Sequence, residues 1–490
     1  MNELPLRPSD ASGEPLTYMS DLASVLREFA RLGETVSYVD QVLSPDLEIA
    51  GHYAQQAGSP ASSRSEDEGI LVYTGTAIPV VMGLFGARRR NNILLSGAPT
   101  LDKRGLANRL KRQIAPIVVQ DPRCQRRRIE PVALSALPIL RYTQQDGGPY
   151  ITSGIVYAQS PTGGASNVSI HRLCVVDDRH CTIWMVPGRH LETFYKAALA
   201  RGQSLKISIN IGGDPLIYLA SSFSPPHTEL FTNELHIAGA MRGRPVPIAK
   251  CATNEAFCFA NTDIVLEAEI TAEAAPEGHT GYSMPEFLGY MGESKSTLPL
   301  VRINAITTRD QPFYQTFLGP GREQSELLAI PQEVSILEAA GEVPGVTVLD
   351  VHCPSYGGGL LVAVVSVCKT SREGDAGVHF LGRKILDTHK YVKNVYVVGE
   401  DIDIYSPEDV LWAMTTRMQP DLDLRILTEQ PGFPMDPSQT VAFRGARLSG
   451  AAPEAPLTSR SVMDCTCPYA MKHAIRSSFS SYPQSEVRHG

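Results

Sequence analysis

The stretch from Val346 to Val398 constrains the fold more than any other part of this 490-residue chain. Three runs in it, Val346 to Val351, Leu360 to Val367 and Asn394 to Val398, are almost wholly apolar and rich in β-branched residues. A strand with one face in water alternates apolar and polar side chains, so continuous apolar runs fit strands covered on both faces, with helices packed above and below. Ser406-Pro407-Glu408-Asp409 supplies the start of such a helix: a capping serine, proline at the first helical position and acids in the first turn. Val410, Leu411 and Met414 follow as its apolar positions. This alternation of strand and helix predicts an α/β domain over residues 346–479.

Upstream, the texture differs. From Pro131 to Ile306 short β-rich segments are broken by Gly, Pro, Asn and Asp, as in a barrel or sandwich-like domain. Leu205, Ile207, Ile209 and Ile211 alternate cleanly there, and a helix is expected between Leu191 and Ala200. Residues 307–345 read as a linker whose helical stretch, 322–341, meets Pro331 as a break or a new start. In the first 130 residues, Leu22, Val25, Leu26, Phe29 and Leu32 form one helical stripe, with Ser20 placed to cap its start and Gly33 to end it. Ile70 to Ala87 is uncharged over eighteen residues. Pro79, two threonines and three glycines make it two buried strands and a turn rather than a membrane span. The organisation expected is an N-terminal α/β domain over 1–130, a β-rich domain over 131–306, the linker, the C-terminal α/β domain and a polar tail over 480–490.

The balance of 44 Lys+Arg against 52 Asp+Glu leaves a formal charge of −8, which argues against a polyanion-binding surface and against nucleic acid as a partner. The arginine run 126–128 reads as solvated surface or as a local anion patch. Nine cysteines, an odd number set mostly among apolar residues, read as buried free thiols of a reducing, cytoplasmic protein. The N-terminal residues lack the basic start and apolar core of a signal peptide. Cys465 and Cys467 have no second pair at zinc spacing, and Gly357-Gly358-Gly359 lacks the context of a phosphate loop.

The most informative segment is Gly147 to Val175. It reads as a strand, a Pro161-Thr162-Gly163-Gly164 turn and a second strand in which Asn167, Ser169 and His171 oppose Val168, Ile170 and Arg172. Arg172 then shares a face with apolar residues. Either it points inward and meets a buried carboxylate or phosphate, or it sits at a strand end and reaches water.

Tyr150-Ile151-Thr152, Ser160-Pro161 with Gly164, and Asn167, Ser169, Ile170 and Arg172 together resemble the signature of the UbiD family of reversible decarboxylases. The similarity continues in order through PVVMGLFGARRR (79–90), Arg189-His190, NELHIAGAMRGRPV (233–246), MPEFLGYMG (284–292), EDIDIY and VLWAMTTRM (400–418). Within the family the chain is most similar to the protocatechuate and gallate decarboxylase group, through stretches such as SIHRLCV, PGRHLETF and MDPSQT.

The resemblance implies a multi-domain α/β protein with a central split β-barrel that binds prenylated FMN. It implies reversible, non-oxidative decarboxylation of a hydroxylated aromatic acid, 3,4-dihydroxybenzoate to catechol, through a covalent adduct with that cofactor and with release of CO₂. Asn167, His190 and Glu234 carry over as ligands of a Mn²⁺ that bridges to the flavin phosphate, with K⁺ nearby. An amide oxygen, an imidazole and a carboxylate suit that ion. Thr152, Ser169, Ile170, Arg172, Arg189 and Lys393 carry over to the cofactor region. The family's acid-arginine-acid triad maps Arg172 as carboxylate holder and Glu286 as proton donor.

The second acid departs from the pattern. Gly281 stands at the family spacing, and Pro276-Glu277-Gly278 offers Glu277 at a longer one, either as that acid or as an exposed loop residue. The partners implied are the aromatic acid, a flavin prenyltransferase that supplies the cofactor, and further copies of the chain in a homodimer or homohexamer. Two other functions stay open: decarboxylation of a heteroaromatic or α,β-unsaturated acid, and a non-catalytic flavin-binding or assembly subunit.

Overall fold

The computed structural model describes residues 19–57, 69–223, 233–319, 321–447 and 456–475. The polar tail expected over 480–490 lies outside them. The chain forms two compact units, Met1–Pro331 and Gln332–Gly490, a coarser division than the sequence texture suggests.

In the first unit, the opening amphipathic helix Leu22–Arg31 buries Leu22, Val25, Leu26 and Phe29. Its cap is Asp21, not Ser20: the Asp21 carboxylate accepts from the Ser24 amide, and the Ser24 hydroxyl accepts from the Asp21 amide. A carboxylate at this position also complements the helix dipole. Ile70–Tyr73 and Val80–Met82 are the two expected buried strands, paired antiparallel. They form a four-stranded sheet with Val36–Val39 on one side and Tyr314–Gln315 on the other. The last strand comes from the expected linker.

The centre of this unit is a nine-stranded antiparallel sheet. Its path runs Tyr150–Ile151, Leu173–Asp177, His180–Ile183, Leu298–Thr308, Ile264–Ala275, Leu205–Ile211, Ile155–Gln159 and Ser166–Ile170, with Arg127–Arg128 paired beside Leu298–Thr308. Its two ends, Tyr150–Ile151 and Ser166–Ile170, are joined by no ladder among the described residues, so the strand path is open. Ile207, Ile209 and Ile211 face the main core with Leu266, Ala268 and Ile303. Against the simple alternation expected, the intervening Ser208 and Asn210 are buried too. They are satisfied by Phe257 O, Ile155 O and the Phe259 amide, because the small sheet of Phe257–Phe259, Pro247–Lys250 and Ile117–Val118 covers that face. The arginines of 126–128 each pair with an acid, Asp121, Asp310 and Glu130, and are exposed.

The helix Arg322–Ala340 runs unbroken through Pro331, which neither stops nor restarts it. In the second unit the sheet order is Val346–His352, Val362–Lys369, Asn394–Gly399, Thr458–Cys465 and Leu424–Gln430, the middle three parallel and the outer two antiparallel to their neighbours. Val362–Lys369 is buried on both faces as its composition requires; Val346–His352 is an edge strand that exposes Thr347 and Leu349. Ser406 caps the helix Pro407–Arg417 by accepting from the Asp409 amide. Among the described residues all nine cysteines are free, and no helix is long and apolar enough to cross a membrane.

Candidate active site

Arg172 follows the end strand Ser166–Ile170 and turns inward, its side chain 10% exposed. It meets two carboxylates from distant sequence. Nε donates to Glu277 Oε1 at 2.8 Å and Nη2 to Glu277 Oε2 at 3.1 Å, a two-pronged contact, while Nη1 donates to Glu286 Oε1. The Trp184 ring lies 4.9 Å from the guanidinium carbon and closes another side. Of the two positions open to Arg172 from spacing, the inward one is adopted, and the anion is a pair of protein acids.

Glu277 is 1% exposed, so it is not a surface loop acid. Its amide donates to Lys295 O, and its Oε2 also accepts from the Lys295 amide at 3.1 Å. The longer spacing is absorbed by Gly278, held at φ +73° with its backbone against Gly147. A Cβ on Gly278 would lie 2.4 Å from Gly147 Cα, and one on Gly292 would lie 2.8 Å from Glu286 Oε1. Gly278→Ala therefore combines left-handed backbone strain of about 1–2 kcal/mol with a clash against main chain. The expected result is a lowered unfolding midpoint and loss of most turnover; unchanged turnover would show that Glu277 need not be held in this place.

Burial raises the Glu286 carboxyl; Arg172 opposes that rise and Glu277 adds to it. Arg172 stays above its ordinary value although burial pushes it down, because Glu286 and Glu277 hold the cation. The three groups sum to −1 with both acids ionised and to zero with one proton on Glu286.

A second contact forms beside this one. Glu234, first residue of the helix Glu234–Arg242, accepts from Asn167 Nδ2 at 3.1 Å and from the Val168 amide at 2.8 Å. Burial pushes its carboxyl up to about 7, with no cation bonded to it among the described residues. His190 is likewise the first residue of a helix, His190–Leu199, and both helices pack on the strand that carries Asn167. The His190 ring is exposed and stacks towards Phe194, without a hydrogen bond to Asn167 or Glu234. A buried carboxylate and an amide oxygen without a cationic partner form a donor pair that fits a hard divalent ion.

The other expected residues divide. Ser169 donates to Asn167 Oδ1 at 2.8 Å and its oxygen lies 2.9 Å from His171 Nε2, so it orients the pair; Ile170 ends the same strand. Arg189 is the cap residue before His190. The Thr152 hydroxyl is taken up by Tyr142, Thr316 and the Phe317 backbone. Lys393 lies in the second unit, bonded to Asp436 at 2.7 Å and to Ser438. Trp184, Gly292 and the Lys295 amide were not legible as site groups. Trp184, one of only two tryptophans, was the available signal.

Residues 117–322 match the 3-octaprenyl-4-hydroxybenzoate carboxy-lyase Rift-related domain, and residues 325–465 match the C-terminal domain of the same enzymes. The chain is 31% identical over 475 residues to gallate decarboxylase of Lactiplantibacillus plantarum, covering 92% of this chain and 95% of that one. It is 32% identical over 430 residues to anhydromevalonate phosphate decarboxylase of Methanosarcina mazei, covering 86% and 92%. Apo 3,4-dihydroxybenzoic acid decarboxylase of Klebsiella pneumoniae superposes with a TM-score of 0.86 at 30% identity, over 94% of this chain and 96% of that one. The enzyme HmfF of Pelotomaculum thermopropionicum, solved in complex with FMN, gives 0.81 at 29% over 93% and 96%. Fold and matches define a multi-domain α/β decarboxylase. The chain belongs to the UbiD family of carboxy-lyases.

Proposed function

We propose that this enzyme decarboxylates a hydroxylated aromatic acid, 3,4-dihydroxybenzoate to catechol, reversibly and without net oxidation, with prenylated FMN as cofactor. The observation that carries the reading is the buried Glu277–Arg172–Glu286 arrangement. The gallate and dihydroxybenzoic acid decarboxylases among its relatives support an aromatic substrate, and FMN in the HmfF structure supports the flavin.

Asn167 and Glu234, with His190 from the neighbouring helix, would hold Mn²⁺, which with K⁺ would supply positive charge for the anionic cofactor. Prenylated FMN, when bound, supplies the electron sink that no side chain offers to a ring carbon losing CO₂. Arg172 binds and orients the substrate carboxylate through the Nη1 side that Glu286 gives up, while Glu277 keeps the Nε–Nη2 fork. The bond from carboxyl carbon to ring carbon breaks, CO₂ leaves, and Glu286 delivers its proton to that ring carbon. Bringing an anionic substrate to a triad that already sums to −1 favours the protonated form of Glu286, and Glu277 works in the same direction. A flavin prenyltransferase is the expected source of the cofactor. Self-association as a homodimer or homohexamer is part of this reading, and the solved structure of an evolved dimeric form of HmfF supports it.

The identity to anhydromevalonate phosphate decarboxylase favours one alternative, a non-aromatic unsaturated acid. The test is CO₂ release by protein co-expressed with a flavin prenyltransferase, across 3,4-dihydroxybenzoate, gallate, cinnamate, pyrrole-2-carboxylate and a phosphorylated unsaturated acid. Turnover of a hydroxybenzoate is expected. Turnover confined to the other acids would replace the substrate class and leave the cofactor in place, and flavin-loaded protein inert on all of them would favour a non-catalytic subunit.

A further inference from the structure

The second unit brings metal-ligating side chains together from three separate elements. His379 lies on the helix Gly374–Thr388, Asp423 ends the short helix Pro420–Asp423, and Asp464 stands on the inner strand Thr458–Cys465. One ligand atom from each lies within 4.8 Å of the others, and no other group of three or more His, Cys, Asp and Glu converges in this way among the described residues.

Their other bonds leave this convergence open. Asp464 Oδ1 accepts from the Thr466 amide at 2.9 Å and from its hydroxyl, and Asp423 Oδ2 accepts from the Gln419 amide at 2.7 Å. Each carboxylate is thus fixed through one oxygen. Asp464 Oδ2 faces Lys369 Nζ at 3.8 Å, beyond hydrogen-bond length, and that ammonium bonds instead to Asp375 at 2.8 Å and to Cys467 O at 3.1 Å. His379 Nδ1 is sealed from solvent and has no hydrogen-bond partner among the described residues, an arrangement that costs free energy unless something is bound there.

We propose that His379, Asp423 and Asp464 bind one divalent transition-metal ion of the zinc class, in a site separate from any ion at Asn167 and Glu234. One imidazole nitrogen and two carboxylate oxygens fit such an ion better than Mg²⁺ or Ca²⁺, which prefer all-oxygen sets, or a soft monovalent ion, which prefers sulfur. Ligand distances of about 2.0–2.2 Å place donor atoms roughly 3.3 Å apart, so the side chains need only small shifts from their present spacing. The charges facing the site are Lys369 and Arg425 against Asp423 and Asp464, so the ion is held less tightly than in an all-acid cage. Bound there, it ties the helix, the short helix and the inner strand of one sheet together.

The test uses the full chain with its flavin, stripped with a chelator and reloaded with Zn²⁺ or Co²⁺. Elemental analysis should show one more Zn²⁺ equivalent in the parent than in His379→Ala or in Asp423→Asn, and Co²⁺ should give visible absorption that both substitutions remove. Zn²⁺ should raise the thermal midpoint of the parent and not of the two variants. A Glu234→Ala background should retain this equivalent, which separates it from the flavin-side ion. Asp423 is half-buried at a surface turn, so Asp423→Asn serves as the folded control if His379→Ala is unstable. Equal Zn²⁺ stoichiometry in the parent and in Asp423→Asn and His379→Ala would overturn the site.

Discussion

Arg172→Ala is expected to abolish turnover and to lower stability by about 3–5 kcal/mol, the usual result of removing one partner from a buried ion pair. Glu277 and Glu286 are 1% and 17% exposed, so without the guanidinium two carboxylates face one another away from water. Glu286, already raised by burial, then loses the cation that opposes that rise and titrates higher still in the folded state. Stability is therefore retained at low pH and lost as pH rises through that raised value. Urea unfolding at pH 5 and at pH 8, with flavin content matched, checks this: the deficit should be larger at pH 8. Arg172→Lys should fall between, because an ammonium cannot make the two-pronged contact with Glu277. A variant within 1 kcal/mol of the parent that retains a tenth of its turnover would remove Arg172 from both roles.

Glu286→Gln is expected to lower turnover by at least about 10²-fold while flavin binding and folding persist. The amide keeps the size of the side chain and can still accept from Arg172, but it has no proton to transfer. The measurement is product formation with deuterium incorporation into the ring in D₂O, at matched cofactor content. Glu277→Gln should show a smaller loss, through a lower proton affinity at Glu286. A larger loss in Glu277→Gln than in Glu286→Gln would exchange the two assignments, and near-normal turnover in Glu286→Gln would remove it as the acid.

Local order was legible where one element decides it. The apolar runs at 360–367 and 394–398 and the helix start at Ser406 need only their own residues and a cover, and the inward position of Arg172 was one of two readings of the six-residue pattern from Asn167 to Arg172. What lies beyond local pattern was not legible. Pro331 was expected to break a helix that packing carries through it, and Ser20 competed with Asp21 for a cap that the carboxylate takes by also bonding Ser24. The partners of Arg172 lie 105 and 114 residues away in sequence, and the close approach of Gly278 to Gly147 together with the bonds to the Lys295 backbone holds Glu277 inward despite its longer spacing. Glu234 and Asn167 meet through a hydrogen bond, while His190 begins a helix packed on the same strand and bonds to neither. Leu424–Gln430, largely exposed, carried no apolar signal to announce a strand.

The prior engagement of Arg172 bears on selectivity in a cell crowded with small anions. A bare buried guanidinium would attract bicarbonate, acetate and phosphate, each able to fill the fork and block it. Here the Nε–Nη2 fork is already filled by Glu277, a tethered competitor at very high local concentration, and Nη1 also donates to Glu286. A visiting carboxylate gains a place only if the rest of its molecule contributes enough binding to displace Glu286. Stray ions carry no such remainder, so the triad filters its own entrance, and salts of these anions should inhibit weakly even at concentrations far above that of the substrate.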